Sequence, residues 1–227
     1  MVISHVNKFI YIKPTKVAGT STQLYLAPLC SNNDIVTDTA CDKKYHKGIN
    51  SNQHRPHLPA SDIKLLVGDA DFATYFKFMN VRNPWDRTVS AFWHDHGPLG
   101  HEDYANDSFV KSIQNSISKH KLEHTIKEKF TEWIYTERLP TPLHSWHSVG
   151  GESVLDDVIR YEALEQDTRR ILTKLRLTIH KDVPYPKEKA HYRKLKCSYT
   201  NYYNDSTCEY IAKKYYRDIM SFGYTFK

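Results

Sequence analysis

Glycine is scarce in this chain. There are eight in 227 residues, about half the usual frequency of roughly 7%, so each one marks a place where the backbone makes a demand. None lies in a G-x-G-x-x-G or G-x-x-x-x-G-K-[ST] pattern, which removes the dinucleotide fingerprint and the Walker phosphate loop. The four cysteines, Cys30, Cys41, Cys197 and Cys208, form no C-x-x-C pair, so a zinc ribbon and a thioredoxin-type motif are absent. Cys197 and Cys208 could close a disulfide in an oxidising compartment. Long apolar runs are missing too, and Met1 to Asn7 lacks the charged-then-apolar pattern of a signal peptide. The expectation is a cytoplasmic chain, or a soluble catalytic domain lacking its anchor. No repeat, low-complexity run or linker divides the sequence, and 40% hydrophobic with 26% charged residues is ordinary for a soluble protein. One domain over residues 1–227 is expected.

The net charge of +6 is unevenly spread. From Arg170 to Lys196 there are nine basic residues against two acidic ones, an excess of seven that exceeds the whole-chain value. Such a window suits nucleic acid, anionic lipid or a polyanionic small ligand, or is simply a solvated surface.

Strand and helix patterns alternate along the chain. Lys8 to Lys13 reads as a strand, followed by a tight loop and a helix over Thr22 to Leu29. Asp34 to Thr37 reads as a short strand, and Cys41 to Pro59 as a long polar loop. Ala60-Ser61-Asp62 caps a short helix through Val67 that is ended by Gly68, Tyr75 to Val81 is the most strand-like run, and Pro84 sits near the start of a helix over Trp85 to Trp93. Apolar spacing predicts two helices within Asn106 to Glu137, a buried strand over Val154 to Tyr161, and a helix from Ala163 to Leu175. One last helix spans Thr207 to Phe222 and closes at Gly223. This order predicts an α/β domain with a central, mostly parallel β-sheet flanked by helices.

Two segments carry chemistry. The first strand, loop and helix read I-K-P-T-K-V-A-G-T-S. Lys16 places a cation beside whatever the loop holds, Ala18 and Gly19 leave room for the backbone to approach it, and Thr20 and Ser21 offer donors at the positive end of a helix. An ordinary capped helix is the plain alternative. The second segment is Val81-Arg82-Asn83-Pro84-Trp85-Asp86-Arg87-Thr88-Val89-Ser90-Ala91-Phe92. A strand-to-helix turn can bring Arg82 and Ser90 toward one anion, the guanidinium giving bidentate contacts and the hydroxyl one more. A structural pair between Arg82 and Asp86 is the alternative.

Together these segments resemble the sulfotransferases that use 3′-phosphoadenosine 5′-phosphosulfate, in particular the carbohydrate sulfotransferase-like branch related to the Golgi 2-O-sulfotransferases. The resemblance implies a P-loop-like sulfotransferase fold. It also puts Lys16, Val17, Ala18, Gly19, Thr20 and Ser21 at the 5′-phosphosulfate, and Arg82 and Ser90 at the 3′-phosphate. The similarity extends over Phe9 to Phe226. Asp157 to Leu164 looks like the family's strand-then-helix segment, with Ala163 where Asn is usual, and Tyr202-Tyr203-Asn204-Asp205 with Arg217 to Phe226 looks like its C-terminal end.

Sulfuryl transfer needs an in-line acceptor and stabilisation of the leaving phosphate oxygen, a role the resemblance gives Lys16. An acceptor hydroxyl also needs a base, and histidine suits without special tuning. The resemblance favours His57, in H-x-P-A-S-D-I; His54, a carboxylate, or no dedicated base is the alternative. Lys189, Arg193 and Lys194 of the basic window are expected over the donor's 3′-phosphate, or on a surface for an anionic acceptor. His94-Asp95-His96, with His101 and Glu102 nearby, invites a metal reading. Residues two apart on a helix face different sides, however, and the resembled family needs no metal, so a place near the acceptor is preferred. The four tryptophans are read as core or pocket wall rather than a nucleic-acid platform, and Tyr161, Tyr202 and Tyr203 as packing.

The expected function is therefore O-sulfation of a small-molecule metabolite or natural product, or of an oligosaccharide, with no nucleic acid, membrane or metal. The oligomeric state is not indicated. A P-loop-like nucleotide kinase and a non-catalytic nucleotide- or polyanion-binding module are the alternatives.

Overall fold

The structure is a computed structural model that describes residues 1–38, 48–51, 54–96, 119–179, 183–186 and 197–227. In chain order its elements are β1 (Val2–Ser4), β2 (Phe9–Ile12), α1 (Gly19–Leu26), β3 (Ile35–Val36), α2 (Ala60–Val67), α3 (Asp69–Thr74), β4 (Phe76–Val81) and α4 (Pro84–Asp95). After these come α5 (Lys119–Ile134), α6 (His144–His147), β5 (Ser148–Val149), β6 (Glu152–Ser153), β7 (Asp157–Arg160), α7 (Leu164–Lys174), α8 (Asp205–Lys214) and α9 (Tyr216–Phe222). They fall into two compact units, residues Met1–Arg82 with Pro142–Glu188, and residues Asn83–Thr141 with Lys189–Lys227.

The first unit is an α/β arrangement around a five-stranded sheet of order β3-β1-β2-β4-β7. β2, β4 and β7 are parallel, whereas β1 runs antiparallel to both β2 and β3. The sheet is thus mixed where the sequence predicts a mostly parallel one. Only four residues separate β1 from β2, and so short a connection permits an antiparallel hairpin and no crossover. Phe9 and Tyr11 face a core with Phe78, Ile159, Tyr25, Leu26, Ile171 and Leu172. Ile10 and Ile12, on the opposite face, are equally buried, which explains why β2 is an unbroken apolar run.

Several boundaries move. α1 begins at Gly19, three residues before the predicted start, and ends in a 3-10 turn over Ala27–Leu29. β7 is shorter than its predicted strand, and only its Ile159 is fully buried. A two-residue turn at Gly150 and Gly151, φ 62° and 91°, joins β5 to β6. Two consecutive positive φ values are what a tight hairpin needs and what glycine supplies.

The second unit is helical. Trp85, Val89, Phe92 and Trp93 recur at helical spacing on α4 and pack with Phe130, Trp133, Tyr202, Ile211 and Tyr215. Polar ends of the tryptophans are satisfied inside this core: Trp93 Nε1 donates to the Tyr202 hydroxyl at 2.9 Å and Trp85 Nε1 to the Cys208 carbonyl at 3.1 Å. The tryptophans on α4 and α5 are core residues, as expected. The helix predicted over Thr207 to Phe222 is two helices, broken at Tyr215, whose buried ring places its hydroxyl 2.6 Å from the Pro140 carbonyl. The first of the two helices expected in Asn106 to Glu137 lies outside the described residues. Cys197 and Cys208 form no disulfide with each other.

Candidate functional site

In a parallel sheet the loops after the strands' carboxyl ends are where ligands bind, and here the sheet register decides which side chains gather there. Ile12 pairs with Met79 and Val81 with Arg160. One step further along the strands, Lys13 therefore neighbours Asn80, and Arg82 neighbours Tyr161. The guanidinium of Arg82 lies 3.7 Å from the centre of the Tyr161 ring, a stacking contact that fixes its plane. Arg82 Nη1 also donates to the Lys16 carbonyl at 3.3 Å.

The loop above these strands has an unusual backbone. Lys16 and Ala18 sit at φ 64° and 62°, a left-handed conformation that costs a non-glycine residue of order 1 kcal/mol or more. Ala18 is the N-cap of α1, where no side chain caps the helix and no acidic residue lies in the first turn. The backbone N–H groups of that turn keep their affinity for an anion. Lys16 and Ala18 are partly exposed, whereas Val17, Thr20 and Ser21 are buried. Gly19 is demanded from below as well as from the ligand side. A Cβ there would come 2.8 Å from Cγ of Lys13, whose side chain passes beneath the helix start to place Nζ 2.8 Å from Gln23 Oε1.

His57 lies beside the end of β2. Its Nδ1 is 2.8 Å from the Lys13 carbonyl. A carbonyl can only accept, so Nδ1 carries the proton, and whenever the ring is neutral its lone pair is at Nε2. Trp146 meets the ring edge-on at 6.3 Å between centroids. His54 is partly exposed nearby in sequence, its backbone N–H donating to the Ser51 carbonyl at 3.1 Å.

Ser90 is a partly exposed position on α4 in the second unit. Lys189, Arg193 and Lys194 lie outside the described residues, as do His101 and Glu102. His94-Asp95-His96 is tied into the helical unit. Burial alone would raise the Asp95 carboxyl, but hydrogen bonds from His94 and Trp133 and the neighbouring His94 and His96 bring it below its ordinary value. His96 Nδ1 donates to the Phe92 carbonyl at 2.8 Å while its ring packs on Phe92. Among the described residues no three His, Cys, Asp or Glu side chains gather as a metal site would require.

Part of the basic window is internally neutralised. Arg170 Nη1 lies 2.6 Å from Asp157 Oδ2 and Nη2 3.2 Å from Asp167 Oδ1, and Lys174 also reaches Asp157. Burial would raise the Asp157 carboxyl, yet these partners and the Val158 N–H hold it below the usual range. The stability it contributes is present above the unfolded carboxylate pKa and is lost as pH falls through the lower folded value. Asp157→Asn is expected to cost about 1 kcal/mol at neutral pH, since its basic partners are solvent-screened. Denaturant unfolding of both chains at about pH 7 and about pH 3 checks this: the gap should narrow in acid.

Residues 1–225 match the family model described as the sulfotransferase family. The chain belongs to the sulfotransferase family. None of the curated proteins and none of the solved structures matches the sequence. Within this family member, sequence reasoning missed Lys13 and Asn80 and read Tyr161 as packing alone. Only the pairing of β2, β4 and β7 brings those three to the loop, and no spacing within a single segment signals it.

Proposed function

We propose that this sulfotransferase family member moves a sulfuryl group from 3′-phosphoadenosine 5′-phosphosulfate to a hydroxyl of a small metabolite or natural product, or of an oligosaccharide. It does so as one domain over residues 1–227, in the cytoplasm, and belongs to the carbohydrate sulfotransferase-like branch. No helix among the described residues is long and apolar enough to cross a membrane. The observation that carries the reading is the Lys16–Ser21 loop, left-handed and partly exposed at Lys16 and Ala18 and bonded to Arg82 through the Lys16 carbonyl, with His57 Nδ1 turned to the Lys13 carbonyl. A cation, an uncapped helix start and a rigidly stacked guanidinium suit a ligand carrying several negative charges.

The donor supplies the sulfuryl group when bound. Lys16 offsets charge developing on the leaving phosphate oxygen. His57 accepts the acceptor's hydroxyl proton at Nε2. Arg82 binds the donor's 3′-phosphate, and Ser90 carries the same motif-based assignment. Arg82→Ala is expected to weaken binding of 3′-phosphoadenosine 5′-phosphate about ten- to a hundredfold, the worth of a charge-assisted contact; calorimetric titration of both chains measures it.

Mass spectrometry tests the activity. The protein is incubated with the donor and pools of hydroxylated metabolites and oligosaccharides, and products are searched for the mass gain of one sulfuryl group. Its appearance together with desulfated donor supports the proposal and names the acceptor class. Phosphorylated products formed from ATP instead would favour a kinase.

A further inference from the structure

Two side chains two residues apart, Asn80 on β4 and Arg82 just past its end, hold two consecutive carbonyls of the loop between β2 and α1. Asn80 Nδ2 donates to the Val17 carbonyl at 2.9 Å, next to the Arg82 bond to the Lys16 carbonyl at 3.3 Å. Positions i and i+2 of a strand share a face, so both bonds pull on the loop from the same side. In a trans peptide the C=O and the following N–H point in opposite directions. Turning the Val17 carbonyl toward buried Asn80 therefore turns the Ala18 N–H away from the core. Val17 is buried and Ala18 partly exposed, which agrees with that orientation. The left-handed backbone at Lys16 and Ala18 persists only if its surroundings constrain it, and the bonds from Asn80 and Arg82 are such a constraint.

Asn80 is itself fixed. It is fully buried, and Nδ2 also donates to Thr22 Oγ1 at 2.7 Å, which in turn meets the Tyr185 hydroxyl at 2.6 Å. Burial pushes the Tyr185 hydroxyl pKa up, so this network stays uncharged at neutral pH. The Asn80 Oδ1 is buried with no hydrogen-bond partner among the described residues. Buried polar atoms are nearly always satisfied, and the hydrogen bonds this side chain makes are both through its Nδ2 donors. One of those donors is aimed at the loop.

We propose that Asn80 is a positioning residue of the donor loop: by holding the Val17 carbonyl inward it aims the Ala18 N–H at the 5′-phosphosulfate end of the donor, without touching the ligand. This rests on the sulfotransfer reading above. The role differs from that of Arg82, which the motif already assigns to the 3′ end.

The test titrates wild type and Asn80→Ala, as full chains, with 3′-phosphoadenosine 5′-phosphate and with adenosine 3′-monophosphate, which lacks the 5′ group. The variant is expected to lose about tenfold in affinity for the first and to stay within about twofold of wild type for the second. Equal losses for both ligands would mean general destabilisation and overturn the proposal, as would no loss for either. Wild type that binds the bisphosphate, with an unchanged variant, overturns this inference alone. Wild type that does not bind it overturns the sulfotransfer reading and this inference with it. Should Asn80→Ala fail to fold, Asn80→Ser keeps a hydroxyl in the buried niche while being too short to hold Val17, and the same selective loss is expected.

Discussion

Lys16→Ala is expected to lower turnover about 10²- to 10³-fold, the effect of removing one charge-stabilising group from a transfer site, while affinity for 3′-phosphoadenosine 5′-phosphate falls far less. The substitution is clean in one respect. Lys16 lies at φ 64°, and alanine bears the same Cβ, so the backbone penalty is unchanged and the loss reports the ammonium group. The Arg82 bond to its carbonyl is also kept, because it involves only the main chain. Charge on the leaving oxygen grows toward the transition state, so the cation contributes mostly to kcat and little to ground-state binding. Single-turnover rates with saturating donor, set beside calorimetric affinities, separate the two effects. Undiminished turnover in Lys16→Ala would defeat the assignment, and an equal fall in affinity and rate would make Lys16 a binding residue only.

His57→Ala is expected to cost about 10²- to 10⁴-fold in kcat, the usual range for a general base, with donor affinity unchanged. His57→Asn sharpens the comparison. Its side-chain amide can still donate to the Lys13 carbonyl as Nδ1 does at 2.8 Å, so it retains the anchor and removes the proton acceptor. Loss of turnover in both variants identifies proton transfer; recovery in His57→Asn would mean that the ring serves to hold the loop before α2. Normal turnover in His57→Ala would shift the role to His54 or to a carboxylate.

The sequence was most legible where chemistry and local structure coincide. The run from Phe9 to Ile12 and Pro84 at the start of α4 each specify their conformation locally, and Asn83, which was not foreseen as a cap, accepts from the Trp85 N–H. The helix stops at Gly68 and Gly223 follow from glycine's access to positive φ, whereas the Gly150-Gly151 turn was not foreseen. What was not legible depends on pairing across the sheet. Lys13, Asn80 and Tyr161 are separated by tens of residues, and only the alignments of Ile12 with Met79 and of Val81 with Arg160 make them neighbours. The break at Tyr215 was hidden for a similar reason, since the apolar spacing continues through it and a distant carbonyl, that of Pro140, receives the hydroxyl. Charge counting misled in another way: Arg170 and Lys174 add to the basic window in sequence but answer Asp157 and Asp167 in space.

The most direct test of the central claim is calorimetric titration of the wild-type chain with 3′-phosphoadenosine 5′-phosphate and with ATP under identical conditions. A sulfotransferase site with Lys16 at the 5′ end and Arg82 at the 3′ end predicts clear preference for the bisphosphate. Preference for ATP, or no binding of the bisphosphate, would contradict it.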